Sequence, residues 1–561
     1  MQLWDNQPQT VPRRAGTVRA YLKQLEPLKS SLPVWRDELY LELHRGCATS
    51  RPDQKRHNRT LERLLREVDL LAALGADAAQ ARDWPVLLFQ QFHDILPGTS
   101  IPEVFDQAES QWRVARRRAA RARTAGVHQL IRRASTADSE AEIGCQRWSW
   151  CGLQPLQRWS PLVRLPSGQW RCEGTDLPSQ VAPGGDLWVQ LPVAKGVVAL
   201  PLECRADAER VSDIDPVVRD PVQVQVIAEQ SWRLANGRLS VELDRSGLIR
   251  LQDFRGVDQL SAPLQLRRYG DRGEFWDAWD LAADYPQHQL PITGDWMLEL
   301  AERGPLVARV ILRRSIGDSS MRMDVLLRAD SPYLELQLTV DWRQTHELLR
   351  LSCPLAWPAL RWAADTSGGV ISRPAIARTA WEKARWEVPV ISWLASEWNA
   401  PGGGLGVLLD GPQGVDADSH QLGISLLRGP TWPDPSADQR QHRHRIALMP
   451  LSNDWYRDGL AQEAIHFREP GWLGPADCTA RWQGFPALPA ALIPICMQPD
   501  MSDDADRGTV VLQVLNPGGA RINWTPGAEG WWIEGDGASV SIPPGAIREI
   551  RLIPRSSQWS S

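Results

Sequence analysis

The sequence predicts an α+β multidomain protein, an N-terminal antiparallel helical bundle followed by mainly antiparallel β-sandwich domains. Three observations carry that expectation. Apolar residues recur at helical spacing up to about residue 135. From there to about residue 553 they give way to short alternating runs bounded by Gly, Pro, Asp or Asn. A chain of 561 residues, with 43% hydrophobic and 23% charged residues, has the length of roughly three or four globular domains.

Val18, Leu22, Leu25 and Leu28 form the first helical stripe, and Leu61, Leu64, Leu65, Val68 and Leu71 the second. Ser50 is the expected N-cap of the second helix, with Pro52 in its first turn. A third helix is expected to start near Asp83, with Pro85 in its opening turn, and to run through Phe92. A fourth is expected to start at Ser100, with Glu103 completing a capping box, and to continue to about Arg133. The short connections between them predict a bundle. The alternating runs at 222–226, 238–244 and 334–340 predict strands, and one helix is expected to interrupt the β region at 454–467. The apolar run from Phe485 to Met497 is too short and too rich in proline to span a bilayer and reads as a buried strand. The domain division that follows is 1–137 (helical), 138–225 (small β), 226–500 (large β-sandwich) and 501–561 (C-terminal β).

A formal charge of −5 lacks the concentrated positive field of a nucleic-acid surface. The arginines from Arg113 to Arg123 spread around their helix, as on a solvated face. No membrane segment is expected, and the opening MQLWDNQPQT lacks the basic and apolar regions of a signal peptide. The eight cysteines form no CxxC pair, which suits free thiols in a reducing cytoplasm. Twenty-eight tryptophans could stack on sugar rings, but their scatter along the chain favours core filling. His442 and His444 alternate on an expected strand and so share a face, without a third ligand nearby.

The stretch Gln90 to Ile101, QQFHDILPGTSI, is the most informative for chemistry. It places His93 and Asp94 on a tight junction between two helices, where an imidazole is fixed well enough to be a metal ligand. On physics alone, a lone His-Asp pair is usually a surface or capping pair. QFHDILPGTSI resembles the zinc-site segment of the family 38 α-mannosidases, and Glu38–Ala72 is similar to the segment that precedes it in that family. The strand pair opening at Asn236, the segment Phe275–Tyr285, the segment Glu387–Gly411 and Leu426–Gln439 also look like family segments.

The resemblance implies a galactose-mutarotase-like large β-domain and a retaining, zinc-dependent hydrolase of α-mannosides or oligosaccharides working through two carboxylic acids. It makes His93 a zinc ligand and Asp94 a contact to the sugar. It also places His44, Asp277 and Asp280 near the sugar, each with a structural alternative: a hydrogen-bonded histidine and two turn carboxylates. Arg428 reads as an ion-pairing arginine. The family's remaining zinc ligands, nucleophile and acid lie in an N-terminal barrel. No catalytic residue is assignable in the 37 residues before Glu38. The expectation is that this polypeptide is inactive without that barrel, which is either separately encoded or lost by truncation or a misplaced start. The alternative is a non-catalytic carbohydrate-binding or scaffold module.

Overall fold

The computed structural model describes residues 16–35, 38–40, 43–77, 79–80, 82–135, 145–205, 216–272, 276–398, 403–502, 508–526, 530–534 and 539–554. The chain divides into two compact units, 1–41 and 42–561. In the first, helix α1 (Val18–Leu25) is capped by the Thr17 hydroxyl, which accepts from the Ala20 amide at 3.2 Å. It runs into a 3₁₀ turn, Glu26–Ser31, with Pro27 in its opening turn, and none of its side chains is buried.

The second unit is mainly antiparallel β, with few helices. Its helices α2 (Pro52–Ala73), α3 (Trp84–Gln90) and α4 (Pro102–Ala134) pack around Leu61, Leu65, Leu87, Ile95 and Trp112. Two expected caps are corrected. Pro102 takes the first helical position of α4 and holds Ile101 extended, so Ile101 becomes the N-cap and Ser100 lies one residue too early to cap. At α2 the N-cap is Arg51, in a left-handed conformation, and the Ser50 hydroxyl donates to the Ala278 carbonyl at 2.7 Å instead. Helix α3 also stops at Gln90, leaving Gln91 and Phe92 in the turn.

From residue 145 on, every strand pairing among the described residues is antiparallel. A nine-stranded sheet runs in space from Met297–Arg303 through Leu334–Asp341 and Gln441–Leu451 to Gly369–Pro374. The expected run Leu334–Val340 lies in it, with Leu334, Leu336, Leu338 and Val340 buried at every second position. The interrupting helix is shorter than expected, Leu460–Arg468. The sheet formed by residues 145–205 takes two further strands from Trp472–Pro475 and Trp482–Phe485. The run from Phe485 to Met497 is therefore not one strand. Phe485 ends a strand of that sheet, and Ile493–Pro499 begins another beside Val510–Leu515.

A six-stranded sheet positions the site. Its strands Gln265–Gly270, Glu347–Pro354 and Gln421–Leu427 are neighbours, with Gly270 opposite Glu347 and Leu427 opposite Leu349. Asp271, His346 and Arg428 therefore emerge together at one end. Many tryptophans fill cores: Trp112, Trp150, Trp159, Trp170, Trp342, Trp393 and Trp531 are all but inaccessible.

Candidate functional site

Arg428 anchors the end of that sheet. It is fully buried and lies 2.6 Å from Asp271. It also donates to the Ser50 hydroxyl at 3.2 Å and to the carbonyls of Ala278 and Asp280 at 3.3 and 2.5 Å. The turn Arg45–Ala48 is thereby docked on residues 276–280, with the Gly46 amide donating to the Trp279 carbonyl at 2.9 Å. Only glycine fits at 46, because a Cβ there would lie 1.8 Å from an Arg428 nitrogen. Arg51, beside this turn, is held by Asp53 and Asp434 at 2.9 and 2.6 Å and lies over the Phe105 ring.

This buried scaffold grips the His93 turn. The Lys55 ammonium, 2% exposed, donates to the Ser50 carbonyl and to the Pro97 carbonyl, the latter at 2.7 Å. Burial pushes its pKa down to about 7. Gln91 donates to the Asn58 side chain at 3.1 Å. Gly98 has a φ of +86°, and a Cβ there would lie 2.5 Å from the Arg51 Cβ, so the turn closes this tightly only with glycine. Thr99 completes it, its hydroxyl donating to Asp94 Oδ1 at 3.0 Å and its amide to the Asp94 carbonyl at 3.1 Å.

The result is a fixed backbone bearing an exposed imidazole. His93 is 76% exposed, with Asp94 Oδ2 at 3.4 Å and the Phe92 ring alongside at 4.1 Å. Burial foremost pushes the Cys47 thiol up to about 11, and the charges of Asp280 and Asp94 add to the rise. His44, left-handed and exposed, begins the docked turn. Asp277 Oδ2 accepts from the amides of Thr431 and Trp432 at 2.7 and 3.1 Å, and from His346 at 3.1 Å. Asp280 Oδ1 accepts from the amides of Arg45 and Leu281 at 3.1 and 3.0 Å. Phe275, in the same sequence segment, lies outside the described residues.

Leu88, Phe89 and Phe92, on and just after α3, are 62%, 63% and 51% exposed, whereas Ile95 belongs to the core. Trp276 and Trp432 are exposed as well, and both pack on Trp279. Sequence reasoning missed Lys55, Asn58 and Arg51. Arg51 is the N-cap of α2, and Lys55 and Asn58 sit in a run of polar residues at its start that is buried almost continuously, from Asp53 to Arg59. Apolar periodicity carries no signal for such a run. Among the described residues no three His, Cys, Asp or Glu side chains are grouped to hold a metal, His442 and His444 included.

The comparisons agree with this layout. Residues 42–130 match the alpha mannosidase middle domain, and residues 234–436 match the glycosyl hydrolases family 38 C-terminal domain. The chain belongs to glycoside hydrolase family 38, as its C-terminal portion. Alpha-mannosidase 2C1 of Homo sapiens is 27% identical to this family 38 chain over 535 residues, 91% of the chain and 48% of the relative. Alpha-mannosidase G of Dictyostelium discoideum is 24% identical, covering 78% and 43%. The family 38 chain thus spans about half the length of these relatives. An alpha-mannosidase from Enterococcus faecalis V583 shares its fold at a TM-score of 0.72 and 15% identity, over 95% of this chain and 72% of that one.

Proposed function

We propose that this chain supplies the C-terminal half of a zinc-dependent, retaining α-mannosidase acting on α-mannosides, and that His93 is its contribution to the metal. The observation that carries this reading is the contrast at residues 91–99. Lys55, Gly98 and Thr99 pin the backbone, yet the His93 ring projects into solvent.

His93 suits one zinc ligand, and the described residues of this chain do not complete a set. The other ligands, with the nucleophile and the acid, would come from the part of the relatives that this chain does not match. Bound zinc would serve as a template for the sugar's vicinal hydroxyls. Asp94, oriented by Thr99, would accept from one of those hydroxyls. Asp277 and Asp280 would shape the rim by holding the Trp432 and Arg45 turns, with His44 at its edge. The large β-domain would be a mutarotase-like sandwich within residues 226–500, and residues 52–134 a helical bundle. The thiols of Cys47, Cys151, Cys172, Cys353, Cys478 and Cys496, free among the described residues, suit a reducing compartment such as the cytoplasm. No described helix is long and apolar enough to cross a membrane.

The test is complementation with the N-terminal half of a family 38 relative. His93→Ala should abolish both zinc retention and hydrolysis of an aryl α-mannoside. Asp94→Asn should keep the zinc and lose turnover by about a hundredfold. Full zinc occupancy in His93→Ala would make that histidine structural and sink the assignment. Mannoside binding without turnover in any mixture would favour a non-catalytic module.

A further inference from the structure

The turn that docks on Arg45–Ala48 carries an open aromatic face. Trp276 and Trp432 are 57% and 52% exposed, although tryptophan is highly buried on average. Both rings rest on the part-buried Trp279, edge-on for Trp276 with centroids 5.9 Å apart and tilted for Trp432 at 5.1 Å. Their backbones are fixed as well. The Trp276 carbonyl accepts from the amides of Trp279 and Asp280 at 3.0 and 2.8 Å, and the Trp432 carbonyl from the Ala278 amide at 3.2 Å. Two flat rings are thus held in place with about half of each side chain open to water.

The carboxylate that frames the Trp432 turn also orients an imidazole. His346 has a φ of +54°, a left-handed conformation that side chains rarely adopt. Its amide donates to the Gly429 carbonyl and its carbonyl accepts from the Asp271 amide, both at 2.8 Å. Its Nε2 lies 3.1 Å from Asp277 Oδ2 and 2.8 Å from the Thr431 hydroxyl. The side chain is 45% exposed, and Nδ1 has no hydrogen-bond partner among the described residues. With its Nε2 hydrogen committed to Asp277, the neutral ring offers Nδ1 as an acceptor.

This face and the His93 turn share a support. The Ser50 hydroxyl donates to the Ala278 carbonyl at 2.7 Å. On the other side, Gly98 packs so closely that a Cβ there would lie 2.7 Å from the Ser50 carbonyl oxygen, and Lys55 ties that oxygen to the Pro97 carbonyl. We propose that Trp276, Trp432 and His346 form the platform for the sugar residue to which a metal-held mannose is linked. The indole rings stack on its C–H faces, and His346 Nδ1 accepts from one of its hydroxyls. The inference deepens the reading given above and rests on it. A pyranose presents apolar C–H faces bordered by hydroxyls, and the platform presents open rings bordered by an open acceptor.

The experiment titrates the full chain with the α-linked mannobioses, read by tryptophan fluorescence and ligand-observed NMR. At least one should bind saturably, with a Kd on the order of millimolar. Trp276→Ala and Trp432→Ala should each weaken binding about tenfold, and His346→Asn, which tolerates the left-handed backbone, several-fold. Thermal melts check that all three fold, and His93→Ala should leave this binding unchanged. In the enzyme complemented with the N-terminal half of a relative, Trp432→Ala should raise KM for the mannobiose about tenfold. KM for α-D-mannosyl fluoride, which has no second sugar, should stay as in the parent, and so should zinc retention. The inference fails if no mannobiose binds, if the three variants bind as tightly as the parent, or if the fluoride suffers as much as the mannobiose. It fails also if the tryptophan variants prevent the two halves from associating, which would make the face a protein contact. Zinc retention in His93→Ala judges the functional reading separately, so either can fail alone.

Discussion

At the scale of single residues, Lys55 links the stability of the site to pH. Its ammonium joins two turns by donating to one carbonyl of each, and burial lowers its pKa from 10.5 to about 7. Between those values the unfolded chain holds a proton that the folded chain has released. Stability contributed by this group therefore rises as pH rises from about 7 towards 10.5, by at most about 1.4 kcal/mol per pH unit. Below pH 7 both states are protonated and the contribution is flat. Urea melts of the parent and Lys55→Met at pH 7.5, 8.5 and 9.5 should show their difference growing in favour of the parent. A difference that shrinks with pH would mean that the lysine is not depressed. None of this was legible beforehand. His93 and Asp94 stood out because a tight turn between helices singled them out, whereas Lys55 lies in a polar run whose burial depends on residues some four hundred positions away, such as Asp434 and Asp438.

At the scale of elements, periodicity located strands and helices well and their ends less well. Local chemistry decided the ends: Pro102 moved a cap by one residue, and the run 485–497 was divided between two sheets. Alternation did place His442 and His444 on one face of the strand Gln441–Leu451, where their rings stack 6.3 Å apart. What alternation could not give is the cost of that placement. Both nitrogens of His444 are buried without partners, and burial lowers its pKa to about 3. His57, across the adjoining cavity, is lowered to about 4, again mainly by burial. From pH 6.5 downwards the unfolded chain takes up protons that the folded chain refuses, so stability falls with acidification until those low values are reached. His444→Phe, of similar shape, should flatten the decline between pH 6.5 and 4 by up to about 1.4 kcal/mol per pH unit. Thermal melts across that range measure it, and a variant as acid-sensitive as the parent would exclude His444 as a cause.

At the scale of the whole molecule, the exposed side chains beside the His93 turn set an expectation for the chain on its own. Leu88, Phe89 and Phe92 are each more than half exposed within one short segment, although the neighbouring Leu87 and Ile95 are core residues. Isolated exposed apolar side chains are ordinary, but three within five residues, next to an exposed imidazole, form a surface that water does not favour. Covering the two phenylalanines, at roughly 100 Å² apiece and about 25 cal/mol per Å², would contribute about 2–3 kcal/mol each. That is enough to drive weak association when no natural partner is present. The chain alone should therefore self-associate at micromolar concentration, as read by sedimentation velocity. Phe89→Glu combined with Phe92→Glu should restore the monomer without lowering the thermal midpoint, because neither ring is part of a core. Adding the N-terminal half of a family 38 relative should suppress association of the parent in the same way, if that half covers this face. A parent chain that stays monomeric at every concentration would show that the patch is tolerated in water, and would remove it as an argument for a covering partner.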